Sequence, residues 1–168
     1  MRPMVKPWVL IIMGSDSDAE VMSQAAAALD ELGVPYEFTV ASAHRSPERA
    51  KQIVNDAEGN GAAAVIAGAG MAAHLPGVVA SLTTLPVIGV PLASGALNGV
   101  DALYAIVQMP PGMPVATVAI GGARNAGILA AQIIATADAQ LAAKMKGLRR
   151  SMADAVAAKS KKVEKSTR

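Results

Sequence analysis

The two histidines of this chain are the residues best suited by type and position to carry chemistry. His44 lies in the segment Ser42-Ala43-His44-Arg45-Ser46-Pro47, and His74 follows Gly68-Ala69-Gly70-Met71-Ala72-Ala73. The chain contains no cysteine. These imidazoles are therefore the only side chains that ordinarily exchange protons near neutral pH. We expect any acid–base chemistry to run through one or both of them.

The surroundings of His44 favour a proton carrier beside an anion site. Arg45 could hold a phosphate with its planar guanidinium. That cation and the N-terminus of a following helix both disfavour imidazolium, so an uncharged His44 is expected. The alternative is a histidine hydrogen-bonded within its loop, with Arg45 in a surface ion pair. His74, similarly, could line a site or simply cap a helix that starts at Leu75-Pro76.

The segment Gly14-Ser15-Asp16-Ser17-Asp18 is a second candidate binding loop. Free amides at a helix N-terminus favour an anion, and the hydroxyls of Ser15 and Ser17 add donors. The carboxylates of Asp16 and Asp18 repel a bare phosphate but accept hydrogen bonds from a sugar diol, which indicates a ribose phosphate. A helix cap with polar decoration is the alternative, because the segment is neither a dinucleotide fingerprint nor a P-loop.

Composition limits the class of protein. A length of 168 residues fits one domain. The chain is 52% hydrophobic but only 2% aromatic, and a core poor in large side chains favours added subunit interface, so a homo-oligomer is expected. Two histidines without His-x-x-x-His spacing argue against a dedicated metal site. The apolar run at 8–13 is short for a signal segment or a membrane span, so a cytoplasmic protein without a membrane partner is expected.

Positive charge is concentrated at the C-terminus. Residues 144–168 contain nine Lys/Arg and two acidic residues. Basic tails can bind nucleic acid. This one has no aromatic side chain for base stacking and has the spacing of a solvated helix. We therefore expect no nucleic-acid partner.

Short apolar runs alternate with amphipathic segments along the chain. Strands are predicted at 9–13, 36–41, 62–67, 87–90 and 115–120. Helices are predicted at 17–32, where Ser17 and Glu20 would form a capping box, and at 46–58, 74–82 and 100–107. A long helix is predicted from 125, broken near Gly147 and ending near 159. A Gly-rich loop is expected at 68–73.

This order predicts a single three-layer α/β domain with a doubly wound, flavodoxin-like parallel sheet. Uninterrupted apolar strands are typical of a parallel sheet covered on both faces. We assign residues 8–140 to this domain and 141–168 to a C-terminal helix and basic tail. The polar clusters at 14–18, 42–46, 68–74, 93–99 and 121–125 each follow a strand. They should meet at the carboxyl edge of the sheet, where such folds bind ligands.

The ordered set of motifs resembles the PurE family of purine biosynthesis, the N5-carboxyaminoimidazole ribonucleotide mutases. The resemblance covers about residues 8–140. The matching segments are Met13-Gly14-Ser15-Asp16-Ser17-Asp18, Ser42-Ala43-His44-Arg45-Ser46-Pro47, Ala67-Gly68-Ala69-Gly70, Ala72-Ala73-His74-Leu75-Pro76-Gly77, Gly89-Val90-Pro91, Gly99-Val100-Asp101-Ala102-Leu103, Ile106-Val107-Gln108-Met109-Pro110, Asn125-Ala126-Gly127 and Ala130-Ala131-Gln132-Ile133.

The resemblance implies an isomerase that moves a carboxyl group from the exocyclic nitrogen of N5-carboxyaminoimidazole ribonucleotide to a ring carbon. The product is 4-carboxy-5-aminoimidazole ribonucleotide, and no metal, ATP or biotin cofactor is needed. It also implies site residues by motif: Ser15 and Arg45 on the phosphate with Ser42 nearby, Asp18 on the ribose, His44 as acid and base, and His74 and Gly70 around the carboxyl group. An octamer with sites at subunit boundaries is implied as well.

Two alternatives remain open beside the mutase. A related branch carboxylates aminoimidazole ribonucleotide with free carbon dioxide, although His74-Leu75-Pro76-Gly77 resembles the mutase branch. A nucleotide-binding module without catalysis is the other. The chain also departs from the family, which usually has glycine where this chain has Met71. If that loop requires a positive φ, methionine strains it. Otherwise its side chain enlarges or covers the wall of the pocket.

Overall fold

A five-stranded parallel sheet forms the centre of the molecule. The structure, a computed structural model, describes residues 7–166. Within them the strands are β1 (Trp8–Met13), β2 (Tyr36–Val40), β3 (Ala62–Gly70), β4 (Val87–Leu92) and β5 (Ala116–Thr117). The helices are α1 (Ala19–Leu32), α2 (Pro47–Gly59), α3 (His74–Leu82), α4 (Val100–Val107), α5 (Ala123–Ala135) and α6 (Ala139–Ser166), and a 3-10 turn at Asp16–Asp18 precedes α1.

The strand order places three polar loops side by side. The order is β2-β1-β3-β4-β5, with every neighbouring pair parallel. Met13 at the end of β1 is in register with Val40 of β2 and with Gly68 of β3. The chain reverses its direction of progress across the sheet at β1, which creates a switch point between β1 and β3. The predicted flavodoxin-like fold is confirmed.

Helices cover both faces of the sheet. In β1 the side chains of Val9, Ile11 and Met13 pack against α1, α5 and the start of α6. Leu10 and Ile12 face the opposite way and pack with α2, α3 and α4. All residues of β1 are buried. Burial on both faces explains why this strand is an uninterrupted apolar run instead of an alternating one.

Small residues let α1 and α5 approach each other closely. A Cβ atom at Gly127 of α5 would lie 2.6 Å from the carbonyl oxygen of Ala25 and 3.0 Å from the Cβ of Ala28. The backbone of α1 occupies the space that a side chain at residue 127 would need. The high alanine content of the chain is therefore used in helix packing, where close approach replaces the area of large side chains.

The third strand is longer than expected, so the predicted Gly-rich loop at 68–73 is only partly a loop. Gly68 and Gly70 belong to β3 and are in register with Val90 and Leu92. A Cβ at Gly68 would collide with the sulfur of Met22 in α1. Glycine at this position leaves room for the side chain of Met22, and it does not signal a turn.

The C-terminal helices also differ from the prediction of one helix broken at Gly147. α5 ends at Ala135, and α6 begins at Ala139 and continues through Gly147. Asp138 caps the new helix, because its Oδ1 accepts hydrogen bonds from the amides of Gln140 and Leu141. The turn between the helices brings Leu141 into the core. In α6, residues 149–164 are exposed. No helix within residues 7–166 is long and apolar enough to cross a membrane.

Two glycine-to-alanine variants test the packing of α1 on α5. Gly127→Ala should lower the free energy of unfolding by about 1–3 kcal/mol, the usual cost of forcing an extra methyl into a packed core. Gly147→Ala is the matched control, since nothing lies within 4 Å of its added Cβ. There the helix propensity of alanine should stabilise the protein by about 0.5–1 kcal/mol. Denaturant unfolding of both variants measures this, and equal signs would contradict the packing argument.

Candidate active site

All eight residues selected from the sequence lie around one cleft. The cleft has a volume of about 480 Å³ and opens at the carboxyl edge of the sheet, between the loops that follow β1, β2 and β3. Its lining includes Ser15, Ser17, Asp18, Ser42, His44, Arg45, Gly70 and His74. Ser94, from the loop after β4, completes the wall. The structure therefore brings the selected residues together, as the position of the polar clusters predicts.

The loop after β1 folds as a tight cap. The hydroxyl of Ser15 accepts a hydrogen bond from the amide of Ser17 at 3.4 Å, and the amide of Ser15 donates to Oδ2 of Asp18 at 3.1 Å. These two bonds form a reciprocal capping box. The predicted box at Ser17 and Glu20 is wrong by two residues, because the 3-10 turn starts the helix early. The cap and the binding loop are one and the same segment.

The carboxyl group of Asp18 is electrostatically disfavoured as an anion. Burial raises the pKa of Asp18 above its ordinary value, and the neighbouring Asp16 carboxylate raises it further. The hydrogen bond from the amide of Ser15 acts in the opposite direction and lowers it. The net shift is upward. A carboxyl group with a raised pKa beside a cleft is a candidate for a functional role, such as accepting hydrogen bonds from a ligand.

The loop after β2 is held by serine side chains. Ser46 occupies the N-cap position of α2, but its hydroxyl donates to the carbonyl of Ser42 at 3.2 Å and accepts from the amide of Ser42 at 3.0 Å. The hydroxyl of Ser42 in turn accepts from the amide of Arg45 at 3.1 Å. These bonds fix the backbone of the loop. The guanidinium of Arg45 forms no ion pair with any residue in 7–166 and stays exposed in the cleft.

The loop after β3 contains strained backbone. Met71 has a φ of 54° and Ala73 a φ of 41°, both in the left-handed region that non-glycine residues avoid. The amide of Ala73 donates to the carbonyl of Gly70 at 3.0 Å and closes the turn. A Cβ at Gly70 would collide with the hydroxyl of Ser94. The strain considered for Met71 is present, and its side chain also lines the cleft.

The turn brings the two histidines into contact. Nε2 of His44 lies 2.6 Å from Nδ1 of His74, and the ring centroids are 4.8 Å apart at an interplanar angle of 77°. One nitrogen of such a contact must donate and the other accept, so a single proton lies between the rings. A doubly protonated pair would place two N–H groups face to face. No three His, Asp or Glu side chains within 7–166 are grouped to hold a metal ion.

Comparison with known proteins agrees with this arrangement. The sequence matches the AIR carboxylase family over residues 8–155. The chain belongs to the AIR carboxylase family. It is 55% identical over 159 residues to the N5-carboxyaminoimidazole ribonucleotide mutase of Pyrococcus horikoshii, covering 95% of this chain and 90% of that protein. The fold is similar to the crystal structure of Treponema denticola PurE, with a TM-score of 0.85 and 29% identity over 93% of this chain and 98% of that one.

A longer relative carries a different name. The chain is 53% identical over 163 residues to the phosphoribosylaminoimidazole carboxylase of Schizosaccharomyces pombe. This match covers 97% of the chain but 30% of that protein. The relatives of this chain therefore include a protein named as a mutase and a protein named as a carboxylase. The resemblance stated from the motifs is confirmed at the level of the family.

Sequence reasoning missed Ser94 in the cleft wall. Ser94 belongs to the polar cluster at 93–99 after β4. Residues 93–98 depart from the commoner pattern of the family, so the sequence assigns them no role. The only sequence signal was its position after a strand. Contact with Gly70 depends on the parallel pairing of β3 and β4, in which Gly70 is opposite Leu92.

The raised pKa of Asp18 gives a pH-dependent prediction. A carboxyl whose pKa is raised by folding adds stability below its ordinary pKa, and this contribution is lost as the pH rises through the raised value. Asp18→Asn keeps an oxygen for the amide of Ser15 and removes the half-buried charge. The variant should therefore be at least as stable as the parent at pH 7, and its advantage should shrink as the pH is lowered.

Thermal unfolding of both proteins between pH 4 and pH 8 measures the effect, because this range starts near the ordinary pKa of an aspartate and extends well above it. Asp154→Asn on the exposed part of α6 is the matched control and should show no such trend. The electrostatic account would be contradicted if the stability of Asp18→Asn minus that of the parent were smaller at pH 7 than at pH 5.

Proposed function

We propose that this chain is an N5-carboxyaminoimidazole ribonucleotide mutase. The observation that carries the proposal is the hydrogen-bonded pair of His44 and His74, which faces a cleft that also holds Ser15, Asp18 and Arg45. Such a cleft combines a proton carrier with groups suited to a ribose phosphate. The P. horikoshii relative, similar over nearly the whole chain, bears the same activity in its name.

The reaction needs one proton that is lent and returned. The exocyclic nitrogen of the substrate takes a proton, its bond to the carboxyl carbon breaks, and carbon dioxide and aminoimidazole ribonucleotide form. The ring carbon then bonds to the same carbon dioxide and becomes tetrahedral. Loss of the proton on that carbon restores the aromatic ring and gives 4-carboxy-5-aminoimidazole ribonucleotide. The proton count of the enzyme is unchanged after one cycle, so one positioned acid–base group is sufficient.

The histidine pair meets this requirement better than a lone uncharged His44. The first step consumes a proton, which an uncharged imidazole does not readily give. A pair sharing one additional proton can supply it through His44 and regain it from the ring carbon. Nδ1 of His44 and Nε2 of His74 have no hydrogen-bond partner within residues 7–166 and remain available to the substrate. In this proposal His44 is the catalytic acid and base, and His74 holds the proton beside it.

The remaining cleft residues would position the nucleotide. Arg45 and Ser15 would bind the phosphate with Ser42, and Asp18 would accept hydrogen bonds from the ribose. Gly70 would leave room for the carboxyl group beside His74. Carbon dioxide must be recaptured before it escapes, so holding it close to the ring carbon has the character of a proximity effect. The small side chains of Ala69, Ala72 and Ala73 in the cleft wall suit a compact apolar space.

We propose that the working form is a homo-oligomer, the octamer that the resemblance implies. A stripe of exposed apolar side chains runs along α4 and includes Leu97 in the turn that precedes it. Leu97 is 61% exposed, Val100 46%, Tyr104 59% and Val107 50%, at the spacing of one helix face. Exposed apolar surface of this kind marks association sites in soluble proteins. Assembly through this face would remove the stripe from water.

Carboxylation by free carbon dioxide is the second candidate, because the S. pombe relative is named as a carboxylase. The two reactions share a product and differ in the source of the carboxyl carbon. The deciding experiment supplies each nucleotide in turn and follows product absorbance. The mutase proposal expects conversion of the N5-carboxylated nucleotide without added bicarbonate. A requirement for bicarbonate, with aminoimidazole ribonucleotide as the better substrate, would establish the carboxylase instead.

Replacing His44 tests the proposed chemistry directly. His44→Asn should abolish conversion and leave nucleotide affinity within about tenfold, roughly 1.4 kcal/mol, since it removes the proton carrier and keeps the phosphate and ribose contacts. Single-turnover assays and equilibrium binding measure the two effects. Near-normal turnover by the variant would exclude the mechanism. Binding with no conversion by the parent protein would indicate the nucleotide-binding module.

The pair makes a further prediction about His74. Because both rings act on one proton, the double variant His44→Asn/His74→Asn should be no slower than His44→Asn alone. His74→Asn alone should alter the pH dependence of the rate more than the affinity for nucleotide. If the double variant instead loses the full factor of His74→Asn on top of any residual rate of His44→Asn, the rings act separately.

A further inference from the structure

A second cleft adjoins the histidine cleft across the loops after β1 and β2. It has a volume of about 460 Å³ and is lined by Gly14, Ser15, Asp16, Val40, Ala41, Ser42, Arg45, Ser46 and Arg49. Four of these residues, Gly14, Ser15, Ser42 and Arg45, also line the histidine cleft. The two clefts are therefore lobes of one continuous depression. We call them the histidine lobe and the arginine lobe.

The arginine lobe holds an excess of positive charge. Neither Arg45 nor Arg49 forms an ion pair within residues 7–166, whereas Arg124 on α5 pairs with Glu31 at 2.7 Å. The single carboxylate in the lobe is that of Asp16. Its Oδ1 already accepts hydrogen bonds from the hydroxyl of Ser15 and the amide of Ser17, both at 3.1 Å. Two unpaired guanidinium groups against one occupied carboxylate make the lobe suited to an anion.

Arg49 is held in place by the edge strand. Its Nε donates to the carbonyl of Val40 at 3.2 Å, and its Nη2 approaches the hydroxyl of Thr39 at 3.5 Å. These contacts tie the guanidinium to the end of β2 and leave Nη1 without a protein partner in the described residues. Arg45 lies in the loop before α2, and Arg49 lies four residues later, in the first turn of that helix. A guanidinium fixed in this way loses less freedom on binding an anion than a side chain free in solvent.

We infer that Arg49, to which nothing above gives a role, is a second guanidinium on the phosphate that the proposed function assigns to Ser15, Ser42 and Arg45, and that this phosphate lies in the arginine lobe. The phosphate chemistry is independent of the reaction, but its assignment to the substrate's own phosphate rests on the proposed function. A ribonucleotide would lie across Ser15 and Ser42, with its base toward the histidine pair. Its phosphate would then lie beside Arg45 and Arg49, on the side of the loops away from Asp18. The one carboxylate in the lobe, that of Asp16, is offset by these two cations and accepts hydrogen bonds from Ser15 and Ser17.

Charge removal at Arg49 tests the inference, with Arg49→Gln, Arg49→Lys and a matched Arg124→Gln control. The control removes the same charge from an exposed pair on α5. Arg49→Gln should raise the KM for the ribonucleotide and the inhibition constant for inorganic phosphate by about tenfold each, the size of one charge-assisted hydrogen bond, with kcat nearly unchanged. Arg49→Lys should recover part of both losses, and Arg124→Gln should change neither.

Separate measurements of phosphate binding and of turnover distinguish this inference from the proposed function. Phosphate binding is also measured without turnover, by equilibrium dialysis of inorganic phosphate against each variant. Phosphate affinity that depends on Arg49 supports the lobe even if the parent converts no nucleotide. Normal conversion by the parent, with KM and phosphate affinity of Arg49→Gln equal to those of Arg124→Gln, overturns the inference and leaves the mutase in place. A fall in kcat and in thermal midpoint, with phosphate affinity unchanged, assigns Arg49 to the fold and also overturns it.

Discussion

The parallel pairing of β1 with β2 on one side and β3 on the other is the constraint on which the candidate site depends. Met13, Val40 and Gly68 are in register, so the three chain segments leave the sheet at one edge. No two of the loops are close in sequence. Backbone hydrogen bonds between strands therefore bring the serine-rich loop at 14–18, the His-Arg loop at 42–46 and the strained turn at 70–73 to one cleft. Helix packing on both faces makes that edge rigid.

The fold was predictable because each element carries its own local signal. Buried strands such as β1 and β4 are continuous apolar runs, and α3 and α4 have the predicted bounds. The cluster positions follow from strand ends alone. The limits of the prediction are equally physical. Gly127 and Gly68 are dictated by neighbours distant in sequence, and the sequence does not distinguish a packing glycine from a turn glycine. The start of α6 is capped by Asp138, three residues after the end of α5, and the sequence pattern does not distinguish this break from a continuous helix.

The candidate site was predictable in membership but not in its internal geometry. The residue types around His44 and Ser15 indicate proton and phosphate chemistry without stating which atoms meet. The contact between His44 and His74 joins residues that are thirty positions apart. It depends on the turn at residues 70–73 and on the register of β1 with both neighbours. Arg49 escaped notice because an arginine in the first turn of a helix is ordinary. Its inferred role depends on the strand carbonyl that holds it and on the lack of an ion pair to it within residues 7–166.

The strained turn after β3 has a structural consequence that explains its persistence. Ala73 adopts left-handed backbone immediately before α3, so His74 is the first residue of that helix. Strain of this kind costs of order 1–3 kcal/mol for each residue and persists only where the surroundings over-determine it. Here Gly70 is in register with Leu92 of β4, and its carbonyl accepts a hydrogen bond from the amide of Ala73. A relaxed turn would carry the first residue of α3 along a different path and separate Nδ1 of His74 from Nε2 of His44. The unfavourable backbone of residues 71 and 73 and the favourable contact between the histidines are thus two parts of one arrangement, which the pairing of β3 with β4 holds in place.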